Sequence, residues 1–89
     1  MPTVSFAPQL QRHVSCPTQI VSAVSLGEAL KMAFLAAPAM QSYVLDEQGH
    51  VRKHVAVFVN NEMIASRRDL SLAVNDGDSI VVIQALSGG

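Results

Sequence analysis

The chain carries one cysteine in 89 residues, Cys16. It has no partner for an internal disulfide, which fits a reducing compartment. It also has no CxxC companion, so thioredoxin-like exchange and four-cysteine zinc sites are excluded. A reactive thiol needs a basic neighbourhood. His13, three residues away, is thin support, and an inert thiol is the expectation. His13, His50 and His54 share no metal-ligand spacing with one another or with clustered carboxylates, so no metal site is expected and each reads as a surface residue. No nucleophile stands with a paired base, which argues against an enzyme. No GxxxxGK[ST] loop is present, so the chain has no phosphate-binding loop of its own.

Charge is scarce as well. Charged residues make up 15% and the net charge is −1. Neither sign is in excess, which leaves no argument for nucleic acid or an anionic membrane as partner. The six basic residues fall as Arg12, Lys31, Arg52-Lys53 and Arg67-Arg68; the two pairs read as solvated loop charges. No apolar run approaches the roughly 18 residues of a membrane span. The start, Met1-Pro2-Thr3-Val4-Ser5-Phe6, has neither a basic opening nor a cleavable apolar segment, and a cytoplasmic location is expected.

What is present is enough apolar sequence for one core, at 49% hydrophobic residues. Thr3 to Ala7 alternates with period two, as a half-buried strand does, and Pro8 helps to end it. Gln9 to Cys16 reads as a connecting loop and Thr18 to Ala23 as a second strand, hairpinned to the first. Ser25 and Glu28 form a Ser-x-x-Glu capping box. Leu26, Ala29, Leu30, Ala33, Phe34 and Ala37 then make a continuous helical stripe, which Pro38 closes through its restriction on Ala37. Ala39 to Tyr43 adds at most one further helical turn. Asp46-Glu47-Gln48-Gly49 is a turn between Val44-Leu45 and His50-Val51. Val55 to Val59 is the clearest strand. Asn60-Asn61 suits a two-residue hairpin turn, and Glu62 to Ala65 returns as a short strand. Arg67 to Val74 is a connection with room for a short helical turn, Asn75 to Asp78 a turn, and Ile80 to Ala85 the last strand. This order predicts an α+β fold: a mixed sheet with one main helix packed on one face, in the β-grasp layout.

Two features point outward from that domain. The last strand is apolar on both faces, with Ile80 and Val82 alternating with Val81 and Ile83, and Phe58 stands opposite Val57 and Val59 in its own strand. One helix covers only one side of a sheet. Phe58, Val81 and Ile83 are therefore expected on an exposed apolar face, of the kind that marks a partner site; the competing expectation is that the 9–16 or 39–50 segment covers them. The second feature is the ending, Leu86-Ser87-Gly88-Gly89. A domain over 1–87 with Gly88-Gly89 as a flexible tail would present a carboxylate on a thin stalk able to enter a narrow cleft.

Taken in order, Phe58-Val59-Asn60-Asn61-Glu62, then Leu70 and Val74-Asn75-Asp76-Gly77-Asp78-Ser79-Ile80, then Leu86-Ser87-Gly88-Gly89, the chain resembles the ubiquitin-like sulfur carriers of the MoaD and ThiS type. The pattern is most similar to carriers serving cysteine synthesis. Many relatives place proline where Gln84-Ala85 stand, which leaves the acceptor enzyme open. The resemblance implies a substrate protein that binds no cofactor. A partner enzyme uses ATP to adenylate Gly89, and a sulfur donor converts the adenylate to a thiocarboxylate. An acceptor enzyme of cysteine, molybdopterin, thiamine or related biosynthesis then takes the sulfur. Gly88, Ser87, Leu86, Phe58, Val81 and Ile83 are the expected tail and docking residues. Two alternatives stay open: a ubiquitin-like modifier conjugated through Gly89, and a plain β-grasp interaction domain.

Overall fold

The computed structural model describes residues 1–12 and 16–84. The elements in chain order are β1 (Thr3–Phe6), α1 (Pro8–Gln11), β2 (Gln19–Ile20), α2 (Leu26–Phe34), α3 (Pro38–Val44), β3 (Val55–Val59), β4 (Glu62–Met63) and β5 (Ser79–Gln84). The five strands form one sheet in the order β2-β1-β5-β3-β4. β1 and β5 run parallel and every other neighbouring pair is antiparallel. The fold is the expected α+β β-grasp, with the last strand beside the first and α2 as the main helix.

Local chemistry explains α2. Ser25 Oγ accepts the Glu28 N–H at 3.2 Å. The Ser25 hydroxyl also donates to Glu28 Oε1 at 3.3 Å, so the carboxylate answers the hydroxyl. The N–H groups of Leu26 and Gly27 donate to Leu72 and Leu70 carbonyls at 2.9 and 2.8 Å. The 70–72 segment thus satisfies two donors that a helix start otherwise leaves orphaned. The whole predicted stripe, Leu26, Ala29, Leu30, Ala33, Phe34 and Ala37, is buried. It lies against the inner sheet face of Val4, Phe6, Val55, Val57, Ile80 and Val82. Phe6 and Phe34 meet with ring centroids 6.0 Å apart and tilted by 37°, within the range aromatic pairs favour.

Both helix-edge prolines were expected to stop an element, and both start one. α2 ends at Phe34, and Pro38 occupies the beginning of α3, a seven-residue helix rather than a single turn. Ala37, at φ −149° and ψ 77°, is held out of helical geometry as a pre-proline residue should be. The same fixed φ and missing N–H that end one helix suit the first position of the next. Pro8 does likewise for α1, inside the segment expected to be loop. The second strand is shorter than its 18–23 expectation because the chain changes partner. Val21 still donates to Pro2 O at 2.9 Å, but Val24 O accepts from Val74 and Ser25 bridges Ala73. The 67–74 connection holds bends and that bridge, with no helical turn. Ile64 extends the β4 pairing by one bond to Val57 O at 3.0 Å, and the strand stops short of Ala65.

Candidate functional site

The outer face of the sheet is set by register. Phe58 pairs with Val81, Ala56 with Ile83, and Val81 with Ser5 on its other side. Phe58 also pairs with Met63 across the β3–β4 hairpin. Phe58, Val81 and Ile83 therefore share one face, as expected, and they are half-buried rather than exposed. Cross-strand neighbours on a narrow sheet shield one another: Val81 is flanked by Phe58, and Ile83 by Ala56. Met63, 61% exposed, belongs to the same face. The sequence reading missed it, although a two-residue turn at 60–61 places 63 opposite 58 by counting alone.

That register is held by a polar clamp at the start of β5. Asn60 and Asn61 both have positive φ, 51° and 72°, as the type I′ hairpin turn requires. Asn60 N donates to Ser79 O at 2.8 Å. Ser79 N returns a bond to Asn60 Oδ1 at 2.9 Å, and Asn60 Nδ2 reaches Asp78 Oδ1 at 2.9 Å. Asp78 Oδ2 accepts from Asn75 N at 2.8 Å, across a turn in which Gly77 has φ +84°. The Asn75 N–H, then the Asn60 amide, hold the Asp78 carboxyl below its ordinary pKa. The Val-Asn-Asn-Glu and Asp-Gly-Asp motifs thus form one structural unit that ties β3 to β5. They set where Phe58 and Val81 meet, and they carry no chemistry of their own.

The opposite end of the sheet is where β5 finishes. Gln84, the last described residue of β5, pairs with Val55 at the start of β3. Leu86, Ser87, Gly88 and Gly89, with the 87/88 domain boundary, lie outside the described residues. Next to Val55, the two basic pairs come together. Arg67 lies half-buried, and its guanidinium donates to the Arg52 and Val55 carbonyls, while its own carbonyl accepts from Val51 N at 2.9 Å. Arg52 Nε donates to Ser42 O at 2.8 Å. Lys53 and Arg68 are exposed loop charges, as expected, whereas Arg52 and Arg67 are half-buried and bonded to backbone. Arg67 acts as a staple between the 52–55 segment and its own loop.

Other candidates stay out of any site. Cys16 is buried and free, and burial pushes its thiol pKa up. His50 is half-buried and His54 exposed, while His13 lies outside the described residues. Among the described residues no group of three or more metal-ligating side chains converges. None of their helices is long and apolar enough to cross a membrane.

A β-grasp sheet with an apolar outer face and the last strand in its centre defines the ubiquitin-like class. The sequence model of the ThiS family matches residues 17–89, and the chain belongs to that family. It is thus one of the small, non-catalytic ubiquitin-like carriers and modifiers. Among solved structures it is similar to small archaeal modifier protein 1 from Haloferax volcanii, at 26% identity and TM-score 0.80, covering 99% of this chain and 98% of that one. CysO from Mycobacterium tuberculosis matches with 23% identity and TM-score 0.79, over 97% of this chain and 100% of that one. A chain of the BexX/CysO complex from Amycolatopsis orientalis matches with 20% identity and TM-score 0.80, over the whole of both chains. At these last two identities the likeness speaks to the fold. A search of curated proteins found no significant match.

Proposed function

We propose that this chain is a sulfur carrier whose Gly89 carboxylate, presented as the chain's C-terminus, is activated and loaded by partner enzymes. The observation that carries the reading is the reach of the family match, which runs through Gly88-Gly89. A carboxylate is a poor acyl donor until one oxygen becomes a leaving group. In the proposed sequence a Gly89 oxygen attacks the α-phosphate of ATP and pyrophosphate leaves. With hydrosulfide as donor, a C–S bond then forms as the C–O bond to AMP breaks, and loss of the thiol proton leaves a thiocarboxylate. The nucleotide and the catalytic groups belong to the activating enzyme, and an acceptor enzyme of biosynthesis takes the sulfur. Docking uses Phe58, Val81 and Ile83, while Leu86, Ser87 and Gly88 thread the tail into the partner. A second reading, a modifier joined through Gly89 to a lysine of a target, is favoured by the likeness to the archaeal modifier protein.

Incubation with the adenylating enzyme from the same genome, ATP and sulfide should exchange one oxygen for one sulfur at the C-terminus, read by intact mass. The chain lacking Gly89 should melt as the full chain does and show no exchange. A persulfide on Cys16 would instead add a whole sulfur atom that a reducing agent removes. Absence of the exchange in the full chain, with isopeptide-linked conjugates in its place, would replace the carrier reading by the modifier one.

A further inference from the structure

The basic residues of this nearly neutral chain are concentrated at one end of the sheet, where Asp46, Glu47 and Asp69 offset part of their charge. A shallow groove at the β5 exit is lined by Arg52, Lys53, His54, Arg67 and Arg68, with Asp46 as its one carboxylate. Four of the chain's six basic residues thus gather there. Asp46 turns its carboxylate onto its own loop, accepting from Gln48 N at 2.9 Å and His50 N at 3.0 Å. Asp69, next to Arg68, bonds Ser71 instead. Arg67 is spent on two backbone carbonyls. Lys53, His54 and Arg68 are exposed. At the other end of the sheet stand Glu62, beside the β3–β4 turn, and Asp76 and Asp78, just before β5, with Asp76 paired to the Met1 ammonium. Position links the cationic end to the end of β5: Val55 pairs with Gln84, the last described residue of that strand, and His54 directly precedes Val55.

We propose that Lys53, His54 and Arg68 form a steering patch for a protein surface rich in carboxylates that borders the cleft receiving the tail. This rests on the carrier reading for the identity of the partner, but the patch itself is read from charge and register. Its neighbour on the outer face is the apolar row of Ala56, Phe58, Val81 and Ile83, so the surface has an apolar centre with charged residues at its edge, basic at the Val55 end, the usual anatomy of a protein interface. Rim charges act on encounter more than on final affinity, raising association rates in a salt-dependent way. Because exposed Lys53 and Arg68 stand at one end of the sheet and Glu62 and Asp78 at the other, the field also favours approach of the basic end to an acidic partner.

The test is the double charge reversal Lys53→Glu with Arg68→Glu, assayed with the adenylating enzyme from the same genome. Both side chains are exposed, so the variant should melt with the parent. Pyrophosphate release should reach the same end point, with kcat/KM lowered about tenfold or more. In the parent, kcat/KM should fall as sodium chloride is raised, and in the variant this slope should flatten or reverse. An unchanged kcat/KM with an unchanged salt slope overturns the proposal. A parent that is never adenylated overturns the carrier reading instead. The patch is then judged by titrating the labelled chain with a hexaglutamate peptide, a single-stranded oligonucleotide and inorganic pyrophosphate. Amide shifts at 52–54 and 68 with the peptide, lost in the variant, uphold it. Shifts confined to the oligonucleotide or pyrophosphate overturn it.

Discussion

The two faces of the five-stranded sheet are built from the same strands and similar side chains, yet they meet different surroundings. On the inner face Val4, Val55, Val57, Ile80 and Val82 have no exposed surface and pack under α2. On the outer face Phe58, Val81 and Ile83 lie one residue further along the same strands and remain half-buried. Intrinsic strand preference cannot separate them, because both sets are β-branched or aromatic. What separates them is that α2 supplies a matching stripe on one side alone. The inner face holds the fold, and the outer face keeps its apolar side chains partly open.

The sharpest way to break this contrast is to open the inner face. Phe34→Ala removes a ring that is 2% exposed and packed on Phe6. Such a truncation costs about 3–5 kcal/mol, which for a domain this small should show as a large fall in the urea midpoint. A midpoint close to the parent's would mean that the core collapses around the gap.

A smaller effect is expected at the clamp that aligns the faces. Asn60→Ala loses the bonds to Asp78 and Ser79 and places a Cβ residue without amide compensation at φ 51°. The cost should be about 1–2 kcal/mol. Its acid dependence follows from sign. Hydrogen bonds hold the Asp46, Asp69 and Asp78 carboxyls below their ordinary values. Their contribution is therefore complete above the unfolded value of about 3.9 and is lost as pH falls through the lower folded values. Denaturation followed from about pH 5 to about pH 2 should show stability falling in that window. Asp78→Asn should make the fall shallower, and an unaltered slope would remove Asp78 from the account.

The smallest stability effect belongs to the outer face. Phe58→Asp should cost about 1 kcal/mol, mostly strand preference and cross-strand contact. Binding to the activating or acceptor enzyme should weaken much more, as measured by calorimetry. If the variant unfolds, Phe58 belongs to the core and the contrast between the faces disappears.

Local signals were legible in the sequence. The Ser25 cap, the α2 stripe, the Asn60-Asn61 turn and the Gly77 turn each depend on residues within a few positions, and each stands where expected. Pro8 and Pro38 misled because one ring serves as helix stop and helix start alike, and only the following chain decides. The clamp and the meeting of Arg52 with Arg67 were illegible for another reason. Each joins segments 15 or more positions apart, and no periodicity records such a contact. The outer face lay between these cases. Its residues were visible by alternation, but their half-burial depended on which neighbours the register supplied.

The position of β5 has a consequence for how the molecule is made. Among the described residues β5 is the last strand in sequence and the middle strand in space, bonded to β1 on one side and β3 on the other. Without it the sheet is two separate short hairpins, and hairpins that small are marginal alone. A chain growing from its N-terminus cannot close this core until residues 79–84 have been added. The β1–β5 pairing is the long-range contact that such topologies make late and slowly. Truncated products therefore remain open and available to proteases, while any molecule that has folded has been synthesised at least to Gln84. Folding is in this sense a check that synthesis has reached β5.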